Sequence, residues 1–201
     1  ESIAPSCMLH ASMQANLDDG SQKRQEQNGV SKVAQYQGVV QPNYGRQTVL
    51  KVDGNEFLKN KSLSHEVFGP FSMIVECDDE SQLIKLISEL DGQLTGTIIG
   101  EDHELNQHSD VIAALQNRVG RLIFNGVPTG VEVCPAMIHG GPYPASSDSR
   151  FTAVGIHAVY RWVRPFSYQN WPNDLLPAEL QNENPLKILR TINNEQTLSQ
   201  I

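Results

Sequence analysis

A carboxylate and an aromatic ring stand two residues apart in Glu66-Val67-Phe68-Gly69-Pro70, directly before the apolar run Phe71–Glu76. One ionised carboxylate can accept from two neighbouring hydroxyls, and charge-assisted hydrogen bonds are the stronger kind. By themselves these five residues read as a surface Glu beside a buried Phe at a turn. A second candidate is the stretch from Gly126 to Ala145, punctuated by Gly and Pro and carrying His139-Gly140-Gly141-Pro142. A glycine-rich loop lets backbone approach a ligand closely. In open α/β sheets such loops gather ligands when they follow the carboxyl end of a strand. A plain connector is the other reading, and His139 is then a loop histidine bonded to backbone.

The three cysteines could supply a nucleophile only as thiolates. Cys77 ends an apolar run and reads as inert packing. Cys134 lies in the Gly/Pro loop with nothing in its sequence surroundings to activate it, and Cys7 sits in Pro5-Ser6-Cys7-Met8-Leu9-His10. Cys7-x2-His10 with Cys134-x4-His139 makes four potential metal ligands, but the spacings fit no zinc pattern and the pairs lie far apart. We assign no metal site. Asp78-Asp79-Glu80 and Glu101-Asp102 are paired carboxylates of a kind that can do acid–base work. Their place at helix starts or turns is explained by capping and the helix dipole.

The elements that position these groups are legible in the hydrophobic spacing. Leu9, Met13 and Leu17 recur on one helical face, with Asp18-Asp19-Gly20 as a possible interruption. Val30, Val33 and Ala34 suggest a second helical stretch. Gln47 to Gly54 reads as a strand closed by an Asp-Gly turn. Phe71–Glu76 reads as a strand buried on both faces. Asp79 caps a helix carrying Leu83, Leu86, Ile87 and Leu90, with Gln82 three residues on. Leu94–Ile99 is a further strand. Ser109 caps a helix with Val111, Ile112 and Leu115 inward and Gly120 beyond its end, and Arg121–Asn125 is a third strand. Strand, helix, strand, helix, strand with short joins predicts an open, mostly parallel α/β sheet with flanking helices. Val154 to Val159 suggests a short helix. Tyr160 to Tyr168 reads as an edge strand, since Pro165 excludes a central one. Asp174 to Gln181 and Pro185 to Arg190 suggest brief helical turns.

A length of 201 residues allows one ordinary domain, or a domain with an appended arm. The net charge of -8 and the lack of any Lys/Arg run argue against a nucleic-acid surface, which needs a basic patch. No apolar run approaches the ~20 residues of a membrane helix. Three sparse cysteines make no disulfide framework, and reduced thiols in a cytoplasmic protein are the simplest reading. The start, Glu1-Ser2-Ile3-Ala4-Pro5, has neither Met nor a signal-peptide pattern, and reads as a cut or trimmed end.

The segment Gly126 to Gln169, GVPTGVEVCPAMIHGGPYPASSDSRFTAVGIHAVYRWVRPFSYQ, together with His65-Glu66-Val67-Phe68-Gly69-Pro70, resembles the C-terminal part of the aldehyde dehydrogenase superfamily. It is most similar to the branch that oxidises α-ketoglutaric (2,5-dioxopentanoate) semialdehyde. The resemblance is strongest from His65 to Pro70 and from Gln93 to Pro185, and loose from Glu1 to Asn60. It implies that Glu66 accepts hydrogen bonds from the nicotinamide ribose of NAD or NADP and that Phe68 packs near the nicotinamide. It also implies that the Gly/Pro loop flanks the entrance of a small aldehyde substrate. His139-Gly140-Gly141 stands where most members carry Phe-Gly-Gly, and a polar residue there suits a substrate bearing a carboxylate and a keto group.

The family's nucleophilic cysteine follows Gly-Gln, which no cysteine here does. The resemblance therefore implies that the nucleophile, the general-base glutamate and the nucleotide fold lie upstream of residue 1, and that the chain alone is inactive. It implies residues 1–159 as a partial catalytic domain, 160–170 as the oligomerisation strand of a homo-oligomer, and 171–201 as a C-terminal tail. Two other classes stay open: a stand-alone structural or interaction module, and a small thiol enzyme using Cys7 or Cys134.

Overall fold

The computed structural model describes residues 3–201, which fall into two units, one running to Arg161 and the other from Trp162 to Ile201. The first unit begins with β1 (Ser6–Cys7), α1 (Ala11–Gln25), β2 (Ser31–Gln35), β3 (Tyr44–Gly45), β4 (Thr48–Asp53) and α2 (Gly54–Lys59). α1 runs unbroken through Asp18-Asp19-Gly20, against the expected interruption. A mid-helix glycine costs only about 1 kcal/mol. Here its bare surface seats Val67, whose Cγ1 lies 3.1 Å from where a Cβ would be. Asp19 also pairs with Lys23 one turn on, at 2.7 Å. Leu17 is 1% exposed and anchors the helix, whereas Leu9 precedes it and faces solvent. Residues 31–35, expected to be helical, form a strand because β4 offers an antiparallel ladder, from Ser31↔Lys51 to Gln35↔Thr48. β4 alternates as a half-buried strand should, with Thr48, Leu50 and Val52 inward. Asp53-Gly54 is not a hairpin turn: the Asp53 carboxylate caps α2, accepting from the Asn55 N–H at 2.8 Å.

The expected alternation then follows as β5 (Phe71–Glu76), α3 (Glu80–Glu89), β6 (Gln93–Ile98), α4 (Ser109–Gln116) and β7 (Val119–Phe124). Asp79 caps α3 through the Gln82 N–H at 2.8 Å, as its spacing predicts. His108, not Ser109, occupies the cap position of α4, and Gly120 lies within β7. Both strand pairs are parallel: β4 with β5, from Thr48↔Phe71 to Asp53↔Glu76, and β6 with β7, from Gln93↔Val119 to Ile98↔Phe124. The α/β class therefore holds. The hydrogen-bonded sheet is interrupted, however: β2-β4-β5 form one ladder set and β6-β7 another. Nor is β5 buried on both faces, since Ser72, Ile74 and Glu76 are exposed. Its edge away from β4 has no partner strand among the described residues.

Leu17, Leu50, Val52, Leu63, Leu86, Ile87, Val111 and Val119 make the apolar core. The chain exposes 14062 Å² of surface. Two separate compact units of these lengths would expose roughly 11,000 Å².

The Gly/Pro-rich stretch runs over the starts of β6 and β7. The Gly92 N–H donates to the Tyr143 carbonyl at 3.2 Å. A Cβ on Gly120 would collide with the Gly140 carbonyl, one on Gly92 with the Pro142 carbonyl, and one on Gly141 with the Gln93 carbonyl. Backbone crosses backbone here, so glycine is required by space. A 3-10 turn at Ile156–Arg161 replaces the short helix expected at 154–159.

In the second unit the expected edge strand over 160–168 is absent. Tyr160 and Arg161 end the 3-10 turn, and Trp162–Tyr168 form no ladder. A strand needs a neighbour to satisfy its backbone, and none is offered among the described residues. The side chains pack locally instead, Phe166 edge-on to Tyr168 with centroids 5.0 Å apart, and Tyr168 against Trp171 at 5.8 Å. A 3-10 turn, Asn173–Leu175, falls at the edge of the helical turn expected over 174–181. The helical turn expected at 185–190 gives way to a hairpin, β8 (Arg190–Ile192) with β9 (Glu195–Thr197). Asn193 and Asn194, at φ 52 and 71, make its tight turn. Asn184 is buried and donates to the Ile188 and Leu198 carbonyls, while Arg190 donates to those of Gln181, Asn182 and Ser199.

Gly120→Ala is expected to destabilise the first unit by ~1–3 kcal/mol or more, because a backbone carbonyl cannot rotate aside as a side chain can. Gly130, where an added Cβ would meet nothing within 4 Å, is the control. Urea unfolding of the two alanine variants checks it; equal midpoints would mean that the loop does not cross β7.

Candidate functional site

Glu66-Val67-Phe68-Gly69-Pro70 is held from below by three elements. The Thr48 N–H donates to the Pro70 carbonyl at 3.0 Å, so the first rung of the β4–β5 ladder fixes the end of the turn. Gly69 adopts φ +136, a backbone conformation that strains other residues, and a Cβ there would press on Leu17 of α1 at 3.1 Å. Val67 rests on Gly20, and Arg24 donates from Nη2 to the His65 carbonyl at 3.3 Å. The inward contacts of the turn thus come from Val67, Gly69 and Pro70, and its two larger side chains are left outward.

Those side chains are Glu66 and Phe68. Both line a cleft of about 860 Å³ whose floor is the N-terminal halves of β5 and β6 and whose far wall includes Pro144 and Ala145. Phe68 is 61% exposed, so the reading of a buried ring at a turn fails. The Glu66 carboxylate is exposed and makes no hydrogen bond or ion pair among the described residues. A free acceptor beside an open aromatic face suits a ligand that carries hydroxyls next to a planar ring.

His139 lines a neighbouring cleft of about 500 Å³, which shares Leu94 and Ala145 with the first. Its backbone is pinned on both sides: its N–H donates to Thr152 Oγ1 at 2.9 Å, and its carbonyl accepts from the Ala153 N–H at 2.9 Å. Thr152 is 2% exposed and donates onward to the Val154 carbonyl. Asp148, Phe151 and Arg161 complete this wall. Sequence reasoning passed over them, since neither Asp148 nor Arg161 belongs to a recognisable pattern; the loop's fold alone brings them to His139. Asp148 holds Arg150 through paired contacts of 2.9 and 2.6 Å, which pull its carboxyl down to about 2.

A third cavity, of about 420 Å³, opens at the C-terminal ends of β5 and β6 between α3 and α4. Its lining is mainly apolar, with Leu83, Ile98, Ile99 and Val111, and the Glu80–His108 pair sits at 2.8 Å on its rim. The acidic cluster before α3 is therefore divided between a cap, Asp79, and this pair.

The cysteines stand apart from these clefts, except that Cys77 borders the third. Burial first, and then the Asp78 charge, push the Cys77 thiol above its usual range, which disfavours the nucleophilic thiolate. Cys7 is exposed, with the Asn43 side-chain amide 3.6 Å from its sulfur, and Cys134 is half-buried. No histidine lies in hydrogen-bonding reach of any of the three among the described residues. Nor do three His, Cys, Asp or Glu side chains among them gather as a metal site. None of the described helices is long and apolar enough to cross a membrane.

No family model matches the chain. Over 134 residues it is 50% identical to alpha-ketoglutaric semialdehyde dehydrogenase of Acinetobacter baylyi, which covers 67% of this chain and 26% of that protein. Over 172 residues it is 42% identical to alpha-ketoglutaric semialdehyde dehydrogenase 2 of Azospirillum brasilense, covering 81% of this chain and 33% of that one. The chain thus spans a third or less of these relatives. Its fold is similar to that of lactaldehyde dehydrogenase from Escherichia coli, with a TM-score of 0.61 at 19% identity over 81% of this chain and 31% of the other. A betaine aldehyde dehydrogenase variant from Staphylococcus aureus, in complex with NAD+, gives a TM-score of 0.59 at 16% identity over 78% and 30%. Succinic semialdehyde dehydrogenase from Streptococcus pyogenes, in complex with NADP+, gives 0.53 at 20% identity over 67% and 28%.

The Asp148–Arg150 contact makes a test of the loop that carries His139. A carboxyl with a lowered folded-state pKa contributes stability that is present above its unfolded value and lost as pH falls through the folded one. The contact is expected to persist from neutral pH to below 3.8 and to be lost near pH 2. Side-chain carboxyl NMR should place the Asp148 midpoint near 2 in the native chain and return it towards 3.8 in Arg150→Ala. An unchanged midpoint in that variant would show that Arg150 does not hold the carboxylate.

Proposed function

We propose that this chain, which is homologous to part of the aldehyde dehydrogenases, supplies the face of an active site that holds the nicotinamide ribose and borders the aldehyde's entrance. In this reading the whole enzyme oxidises α-ketoglutaric semialdehyde to the carboxylate. The observation that carries it is the 50% identity over 134 residues with an enzyme named for that substrate.

The residues present fit an NAD(P)+ cofactor. Glu66 offers two carboxylate oxygens without protein partners among the described residues, in a cleft of about 860 Å³ that has room for a ribose. Glu66 would accept from the ribose hydroxyls and fix the rotation of the ring they belong to. Phe68, open to the same cleft, would lie against the nicotinamide and keep water from it. When bound, the nicotinamide supplies the hydride acceptor. The protein's contribution from this side is orientation, which aligns reacting atoms in advance of the chemical step. His139, with its backbone fixed by Thr152, would present its ring at the substrate entrance.

The thiolate nucleophile is not among the three cysteines in this reading: none follows Gly-Gln, and the surroundings of Cys77 disfavour its thiolate. It comes, with the nucleotide fold, from the portion of an aldehyde dehydrogenase that this chain does not span. The reading also includes a cytoplasmic homo-oligomer. The exposed Trp162, Val163 and Phe166 would gain a ladder from a like chain, and residues 160–168 would then become the strand that they do not form alone.

The chain alone is expected to form no NAD(P)H from α-ketoglutaric semialdehyde or propanal above the no-protein control; turnover that disappears in Cys7→Ser would sink the reading. Joined in the relative's own order to the part of the Acinetobacter baylyi enzyme that it does not span, the chain is expected to be active. In that joined enzyme Glu66→Gln should slow hydride transfer at saturating cofactor by about tenfold or more, since a charge-assisted bond contributes ~1.5–3 kcal/mol. An unchanged single-turnover rate, with unchanged cofactor affinity, would make Glu66 a surface residue.

A further inference from the structure

We propose that Arg161, with Ser147 and His139, forms a subsite for the α-keto carboxylate head of the substrate; this deepens the functional reading above and rests on it.

The cleft of about 500 Å³ beside His139 is of a size usual for a small-molecule site. Its polar groups divide into those that the loop consumes and those that it leaves free. Ser146 Oγ accepts from the Gly141 N–H at 3.0 Å. The Asp148 carboxylate accepts from the Arg150 backbone N–H at 3.0 Å and from the Arg150 guanidinium at 2.9, 3.2 and 2.6 Å. The guanidinium of Arg161, the hydroxyl of Ser147 and the imidazole of His139 also line the cleft, and they make no hydrogen bond or ion pair among the described residues. The acceptors are therefore taken, and what stays free is weighted towards donors. Arginine has five N–H groups and no acceptor, an imidazole carries an N–H in either neutral tautomer, and a hydroxyl can donate or accept.

The charges point the same way. Asp148 and Arg161 are the ionic groups of this wall. The Arg150 side-chain hydrogen bonds hold the Asp148 carboxyl at about 2, so at neutral pH its charge is present and already matched. Arg161 has no such match among the described residues. In a chain of net charge -8, this cleft keeps an uncompensated positive charge, which calls for an anionic ligand.

The shape of the free donors selects the anion. A guanidinium meets a carboxylate through two parallel bonds. In an α-keto acid a further acceptor, the keto oxygen, stands next to the carboxylate, within reach of a neighbouring donor; Ser147 and His139 are such donors. Thr152 fixes the backbone of His139 from behind. Leu94, Phe151 and Ala153 make the rest of the wall apolar, which suits a carbon chain better than a phosphate. Leu94 and Ala145 also line the cleft of Glu66 and Phe68. A short chain held by its head at Arg161 thus leads past Leu94 towards the cofactor side, with its aldehyde end foremost. An aldehyde without the head forms none of these bonds and leaves the donors unpaired, which is how a polar site discriminates.

Titration of the chain alone with 2-oxobutyrate and with butyrate, followed by NMR, tests the subsite without any turnover. The His139, Ser147 and Arg161 signals should shift together and saturate, with 2-oxobutyrate binding several-fold tighter than butyrate. Arg161→Gln should weaken 2-oxobutyrate about tenfold or more, as loss of a charge-assisted pair does. Arg164→Gln removes the same charge at a residue that does not line the cleft, and should leave the affinity unchanged. Equal binding of the two acids, a lack of saturation, or an unchanged affinity in Arg161→Gln would overturn the proposal. So would binding that disappears as the chain associates, since pairing of residues 160–168 would then have drawn Arg161 out of the cleft. In the joined enzyme described above, Arg161→Gln should raise KM for α-ketoglutaric semialdehyde about tenfold more than that for propanal. An active joined enzyme in which the two aldehydes respond alike overturns the subsite and leaves the dehydrogenase reading intact. Saturable binding that depends on Arg161, in a joined enzyme without turnover, does the reverse.

Discussion

The parallel ladder between β4 and β5 is the constraint on which the rest of the first unit hangs. Its first rung, from the Thr48 N–H to the Pro70 carbonyl, ends the Glu66–Pro70 turn at a fixed point. Thr48, Leu50 and Val52 face inward along β4 and meet the core that Leu17 of α1 closes. Leu17 in turn lies against Gly69, and Val67 against Gly20 of the same helix. Ladder, helix and turn therefore fix one another. This arrangement seats Val67 against the helix and leaves a carboxylate and a ring outward.

A second constraint is the close passage of the loop around Gly140 and Gly141 over the starts of β6 and β7. Backbone meets backbone at Gly92, Gly120 and Gly141, so the glycines on both partners are demanded by contact. This passage brings Ala145 to the Glu66 cleft and His139 to the cleft beside it. Two segments separated by some seventy residues of sequence thus share walls. Their chemistry is combined by a steric requirement, with polar contacts such as His139 to Thr152 fixing the detail.

Isolated sheet edges and exposed Ile and Leu side chains carry a free-energy cost. The second unit meets the same problem differently. Lacking a ladder for 162–168, it stacks aromatic rings on one another, and beyond them it ties the segment around Asn184 and Arg190 through side chain to backbone carbonyls.

Local rules alone determined much of this protein. The cap at Asp79, the apolar spacing of α3, the strand at 71–76, the strand expected at 121–125 and found two residues earlier at its start, and the parallel α/β class are legible because each depends on neighbours within a few residues. The pairing of Glu66 with Phe68 and the kinship with aldehyde dehydrogenases are legible for the same reason, being carried by short stretches of specific residues. Tertiary structure decided the rest. Residues 31–35 became a strand because β4 offered an edge, and α1 ran through Gly20 because Val67 filled its bare surface. The segment 160–168 is no strand because hydrogen bonds of a ladder require a partner that its own sequence does not contain. The same physics left β5 and β6 apart: a strand's pattern states that it will pair, and only the folded chain shows with what.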